Sequence, residues 1–168
     1  AVSDAGIDRF LAGVLGPVAA EVRREGAAAT HCNTWGDGLF VVFADPVRAA
    51  DCAARVMAAL AEVDPADLGL PGDLALRLGG HYGPCFERDD PLRGGPNCFG
   101  AAVTRAARIE PVAPPGAFYV TEEFAAALAM GDPAPPLLSY VGRVPLAKNA
   151  GATPLYRCAP RSGPGAAP

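Results

Sequence analysis

Asn33-Thr34-Trp35-Gly36-Asp37-Gly38-Leu39-Phe40-Val41-Val42-Phe43 is the stretch that decides the fold. Gly36-Asp37-Gly38 reads as a tight turn, because glycine adopts the positive φ that hairpin turns require. Leu39 to Phe43 is rich in aromatic and β-branched residues and reads as a buried strand leaving that turn. Residues 28 to 34 supply the strand entering it, so the two form a β-hairpin. Its tip holds up one carboxylate, Asp37, where a metal ion or a metal-bound phosphate can reach it. Taken alone, an acid between two glycines is more often a plain hairpin tip.

Helices flank this hairpin on both sides. Upstream, Ile7, Phe10, Leu11, Val14, Leu15, Val18 and Val22 recur at spacings of three and four, which predicts an amphipathic helix over residues 4 to 25. Gly16-Pro17 interrupts it and predicts a kink, and Gly26 ends it. Downstream, Asp45-Pro46 gives an N-cap and a proline at the first helical position. A helix over 46 to 63 follows, with Val47, Ala50, Ala54, Met57, Ala58 and Ala61 as its inner stripe. Residues 64 to 73 read as a loop, and Leu74 to Tyr82 as a strand.

Gly83 to Pro96 is turn-rich and charged and reads as an exposed excursion. A helix over about 100 to 110 comes next, then breakers at Pro111, Pro114, Pro115 and Gly116. Phe118 to Val120 is a short strand, and Thr121 caps a short helix through Leu128. A loop at 131 to 136, strand material at 137 to 146 and a last strand at 154 to 158 complete the order. Residues 159 to 168 are rich in Pro, Gly, Ser and Ala and read as a disordered tail after one domain spanning 1 to 158. Because the clearest strand pair is a hairpin, the expected class is α+β, with helices packed on a mixed or antiparallel sheet.

Composition narrows the classes of function. The 168 residues suffice for one domain with a core. A formal charge of -4 argues against nucleic acid as a bulk partner. No stretch approaches the ~20 apolar residues of a membrane span, and no signal-peptide pattern opens the chain. Cysteines stand at 32, 52, 85, 98 and 158 with no C-x-x-C spacing, and the only histidines are His31 and His81. That pattern speaks against a zinc site and for free thiols in a reducing cytoplasm.

Five blocks, in order, resemble class III adenylate and guanylate cyclase catalytic domains. The hairpin Thr34-Trp35-Gly36-Asp37-Gly38-Leu39-Phe40-Val41-Val42-Phe43 is one. Leu76-Arg77-Leu78-Gly79-Gly80-His81-Tyr82-Gly83-Pro84 is similar to that family's R-x-G-x-H-x-G-P strand. Phe99-Gly100-Ala101-Ala102-Val103-Thr104-Arg105-Ala106-Ala107-Arg108-Ile109-Glu110 is similar to its G-x-x-V-N-x-A-A-R helix. Pro115-Gly116-Ala117-Phe118-Tyr119-Val120-Thr121-Glu122 resembles P-G-x-I-x-V-S-E. Val144-Pro145-Leu146-Ala147-Lys148, continuing to Pro154-Leu155-Tyr156-Arg157, resembles the closing L-K-G…V-Y. The wording is most like a divergent bacterial branch often fused to sensor or repeat modules.

The resemblance implies a ferredoxin-like βαββαβ-type domain working as a homodimer, with sites shared across the interface. Its chemistry is a two-metal clamp, using Mg²⁺ or Mn²⁺, on ATP or GTP. Asp37 matches the second metal aspartate. The first lies in the family on a strand before the first helix, and that strand is missing from this chain. Arg108 matches the transition-state arginine, whose fork suits phosphate oxygens. Thr104 stands where an Asn orients the ribose, one helical turn before Arg108. The purine-reading Lys and Asp positions hold Asn33 and Asn97. Each amide offers a donor and an acceptor but no charge, so base choice is not inherited. A triphosphate-binding lysine of some members aligns with Ala150; Lys148, the sole lysine, stands two residues earlier and is the substrate-binding candidate for the phosphates, although a surface lysine is the commoner reading.

Two functions follow. The chain is a nucleotide cyclase forming a cyclic nucleotide (cAMP favoured) and pyrophosphate, or it is a regulatory pseudocyclase that keeps the dimeric fold and binds nucleotide with little turnover. The substitutions at 33, 97, 104 and 150 favour the second; Asp37 and Arg108 favour the first. A dinucleotide cyclase lacks support, because no G-G-D/E-E-F run occurs.

Overall fold

The computed structural model describes residues 6–24 and 29–159. It opens with α1 (Ile7–Phe10), a π-helical turn (Leu11–Leu15) and α2 (Gly16–Arg24), which run on without a break. The expected interruption at Pro17 takes the form of that wide turn. The Gly16 N–H donates to Leu11 O, five residues back, so the ladder has already slipped where Pro17 has no N–H to give. Val14, Val18 and Val22 are buried, whereas Ile7 and Leu11 stay exposed. The expected helix ends at 4, 5 and 25, and the stop at Gly26, lie outside the described residues.

The hairpin is present as β1 (Ala29–Trp35) and β2 (Gly38–Phe43), antiparallel, with Trp35 opposite Gly38. The turn is therefore two residues long, Gly36-Asp37. The φ of 64° at Gly36 is the one the first central position of a type II′ turn demands. Next comes α3 (Pro46–Ala61), where Asp45 caps as expected: the Val47 N–H donates to Asp45 Oδ1 at 2.9 Å. The predicted stripe captures one of two buried faces. Ala50 lies toward the large sheet with Val47 and Met57 beside it, while Cys52 and Val56 pack against Val18 and Val22 of α2.

Strand β3 is only Leu78–Gly80, shorter than the predicted 74 to 82. Its partner β6 (Phe118–Thr121) follows Pro114-Pro115, which have no N–H groups to extend the ladder. The excursion at 83 to 96 contains a hairpin, β4 (Phe86–Asp89) and β5 (Pro96–Phe99). Neither strand alternates apolar with polar residues, so periodicity gave no strand signal there.

After β5 come α4 (Ala101–Ile109), a 3₁₀ turn (Glu110–Val112), β6, α5 (Glu122–Gly131), β7 (Leu138–Pro145), a 3₁₀ turn (Ala147–Asn149) and β8 (Ala152–Cys158). Thr121 caps α5, accepting the Phe124 N–H at 3.4 Å. The helix outlasts the predicted end at Leu128 because Gly131 and Asp132 still carry it. The main sheet runs β3-β6-β8-β7, with β3 parallel to β6 and the other pairs antiparallel. One face, with Phe118, Val120 and Cys158, packs on α3 and α5. The other, with Tyr119 and Leu155, packs on Ile109 and Leu146. This is the mixed α+β sandwich that the residue pattern predicts. Ala159 is held by its N–H to Leu137 O at 3.0 Å. The rest of the expected tail, 160 to 168, lies outside the described residues, and none of the described helices is long and apolar enough to cross a membrane.

Candidate functional site

Helix α4 carries the site, and Gly79 lets it do so. A Cβ at Gly79 would sit 2.5 Å from Glu110 N and 2.9 Å from Ala106 O, so only glycine allows α4 to lie against β3. Ile109, fully buried under the sheet, fixes the helix in rotation. Thr104, Arg105 and Arg108 then turn toward a cleft of about 340 Å³, closed on the other side by Leu146 and Ala150. Ala101 completes the lining, so no acid borders the cleft.

Arg108 is half-buried there and, among the described residues, makes no hydrogen bond or ion pair. Thr104 turns its hydroxyl back along the helix and donates to Gly100 O at 3.4 Å. The structure thus joins Thr104 and Arg108 in one cleft, as their i, i+4 spacing predicts. Ala150 joins them; Lys148 is not part of the lining. Lys148 and Asn149 take φ values of 58° and 54°, left-handed conformations unusual for such residues, in the short turn between β7 and β8.

The remaining candidates lie elsewhere on the protomer. Asp37 is exposed at the tip of the β1–β2 hairpin and does not line the cleft. Trp35 stacks on Phe40 behind it, with ring centroids 5.0 Å apart. Asn33 lies in β1 opposite Phe40. Asn97 is engaged within its own hairpin: its Nδ2 donates to Asp90 Oδ2 at 2.9 Å, and its Oδ1 accepts the Cys98 N–H at 2.9 Å. Asp90 also accepts the N–H groups of Leu92 and Arg93, and the Asn97 amide, followed by these two, holds its carboxyl below the ordinary carboxylate range.

Beside α4, reaching Arg105 at the edge of the cleft, lies a polar network that the motifs alone do not reveal. The side chain of His81 is nearly buried, and its Nδ1 shares a 2.9 Å hydrogen bond with Thr121 Oγ1. Glu123 Oε2 is 3.8 Å from the same nitrogen, and Glu123 Oε1 accepts from Arg105 Nη1 at 3.3 Å. Burial pulls the His81 pKa down and outweighs the upward pull of Glu123. For Glu123 burial pushes upward, but its own N–H, Thr121, His81 and Arg105 together bring its carboxyl below the usual value. The histidine stood inside a recognised motif. Glu123 and Arg105 are ordinary helix-surface residues by pattern, and only the fold, which brings the first turn of α5 within side-chain reach of α4, joins them.

Among the described residues no group of three or more His, Cys, Asp or Glu side chains is placed to hold a metal ion. Asp37 offers a single carboxylate, which suits one edge of a hard divalent cation whose other ligands are phosphate oxygens and water.

No known family's sequence profile matches the chain. A sequence relative, "Putative adenylate cyclase 3" of Rhizobium meliloti (strain 1021), is 38% identical over 89 residues, spanning 52% of this chain and 14% of the relative. The fold is similar to that of an adenylate cyclase from Trypanosoma brucei in its monomeric state, with TM-score 0.75 and 19% identity over 90% of this chain and 79% of that one. It is also similar to the guanylate cyclase domain of RhGC from Catenaria anguillulae in complex with GTP, with TM-score 0.74 and 18% identity over 95% of this chain and 87% of that one. The adenylyl cyclase CyaB from P. aeruginosa matches at TM-score 0.72 and 15% identity, over 95% of this chain and 85% of the other. With its hairpin, its mixed sheet and the helix across it, the chain has the fold of the class III adenylyl and guanylyl cyclase catalytic domains.

Proposed function

We propose that this chain is the catalytic module of a class III-like nucleotide cyclase. It would convert a nucleoside triphosphate, ATP in preference to GTP, into the 3′,5′-cyclic nucleotide and pyrophosphate. The observation that carries this reading is Arg108, a half-buried guanidinium without a partner among the described residues, in a cleft bordered by no acid. A cation held in a partly dry cleft attracts an anion more strongly than a surface arginine does.

Arg108 would lie against the α-phosphate and neutralise the charge that grows there as the 3′-oxygen attacks and pyrophosphate leaves. Thr104 would exchange its bond to Gly100 O for the ribose. The metal, Mg²⁺ or Mn²⁺ on Asp37 and the triphosphate, would acidify the 3′-hydroxyl and neutralise the leaving group. Asp37 and the cleft are separate on one protomer, so the complete site needs two copies, each lending what the other lacks. Exposed apolar side chains support such a pairing: Trp35 and Leu39 beside the tip, and the cross-strand pair Phe86 and Phe99.

The test is incubation of the protein with ATP or GTP and Mn²⁺. Cyclic product should form, and Asp37→Ala or Arg108→Ala should each lower its rate by about 100-fold or more. A folded dimer that makes no product overturns the proposal. A second reading, a dimeric nucleotide-binding regulatory module, draws on Asn97, whose amide is already held within its own hairpin by Asp90 and the Cys98 N–H. Nucleotide binding without product would select it.

A further inference from the structure

The cleft holds two arginines, and only one of them is explained by the proposed role of Arg108. Arg105 lies one turn away at i, i+3, and both arginines line the same space from the same short helix. Two like charges at that spacing repel and cost the helix stability unless an anion lies between them. Glu123 provides a partial answer. It accepts from one nitrogen of Arg105 at 3.3 Å, while the Arg105 side chain remains 46% exposed. A guanidinium has five N–H donors, so this contact leaves most of its fork for another acceptor. Across the cleft the wall is Leu146 and Ala150, with no charge of its own. A polyanion seated there would find positive charge on the α4 side alone.

We propose that Arg105 is a second phosphate-binding residue of this cleft, gripping the distal, most highly charged end of a polyphosphate chain. Glu123 is its resting partner, and it keeps the guanidinium at the mouth of the cleft. The inference rests on the reading of the cleft as the triphosphate seat. It adds the residue that supplies binding charge where Ala150 supplies none. Binding would exchange one exposed carboxylate contact for a forked phosphate contact, a stronger charge-assisted bond.

Inorganic tripolyphosphate is the probe, titrated calorimetrically into the full chain in metal-free buffer at low salt. Arg105→Gln should weaken its binding by about tenfold. Arg105→Lys should recover part of the loss, and Arg88→Gln, which removes an arginine of the exposed β4 strand outside the cleft, should leave it unchanged. With nucleotide, Arg105→Gln should raise KM far more than it lowers kcat, the mark of lost uniform binding. Tripolyphosphate that binds Arg105→Gln as tightly as wild type, or that does not bind wild type at all, overturns the proposal. So does equal weakening in Arg88→Gln, which would mean general charge attraction. If tripolyphosphate binding depends on Arg105 but no cyclic product forms from ATP or GTP, the inference stands and the cyclase activity falls. If product forms with an unchanged KM in Arg105→Gln, the inference falls alone.

Discussion

Asn97 shows how far one residue's meaning depends on its neighbours. Its place in the chain is a base-reading position by resemblance, and its identity as an amide is plain in the sequence. That its Nδ2 is spent on Asp90 was not legible, because the bond spans a hairpin whose strands show no alternation. The turn chemistry was written there, in Asp90-Pro91 and Gly94-Gly95. Asp90 accepts three donors and is held below the ordinary carboxylate range, so its contribution to stability is present above that range and is lost as pH falls through the lowered value. Asn97→Asp supplies the carboxylate that the resemblance implies for base reading, but it sets two carboxylates about 3 Å apart, a hydrogen-bond distance. The sign then reverses: like charges raise both pKa values, and the hairpin weakens as pH rises. We expect this variant to melt a few degrees lower at pH 7 than at pH 4.5 relative to wild type, which thermal denaturation at the two pH values would check. Equal melting shifts at both would contradict it.

Among the elements, caps and long amphipathic helices were the most legible. Asp45 and Thr121 both cap as their sequence positions say, because capping is decided within one turn. The two buried faces of α3 were not, since period counting finds one stripe and cannot know that α2 packs on a second side. The β3–α4 contact is similar. Gly79 falls on the first glycine of the R-x-G-x-H-x-G-P block, but the sequence does not say why: a methyl group there would strike the backbone of α4 and of the 3₁₀ turn after it rather than a movable side chain. Gly79→Ala should therefore destabilise the domain by about 1–3 kcal/mol, the usual cost of overpacking, measured by urea denaturation. Because α4 bears Thr104, Arg105 and Arg108, the same change should displace the cleft and lower tripolyphosphate affinity. A variant as stable as wild type would show that α4 yields more easily than its packing indicates.

At the scale of the molecule, the α+β class followed from one hairpin and the alternation of helices around it. The division of the candidate site did not. Asp37 on its tip and Arg108 in its cleft are 71 positions apart in sequence, and spacing alone does not reveal that one protomer keeps them separate. If two copies share each site, Asp37→Ala and Arg108→Ala damage different halves. Mixed in equal amounts and allowed to exchange, two dead variants should recover about a quarter of wild-type activity, because half the dimers carry one intact site. Mixtures as inactive as their components would show that a single chain must supply both residues.

The turn between β7 and β8 has a practical consequence. It is closed by the Leu146 N–H on Gly151 O at 2.8 Å, and it presents Lys148, the protein's sole lysine, two residues from Ala150 in the cleft wall. An amine-reactive fluorophore therefore has one side-chain target, in the short turn that also carries Ala150 of the cleft wall. Without any cysteine engineering, the chain offers a built-in attachment point for an optical sensor of cleft occupancy.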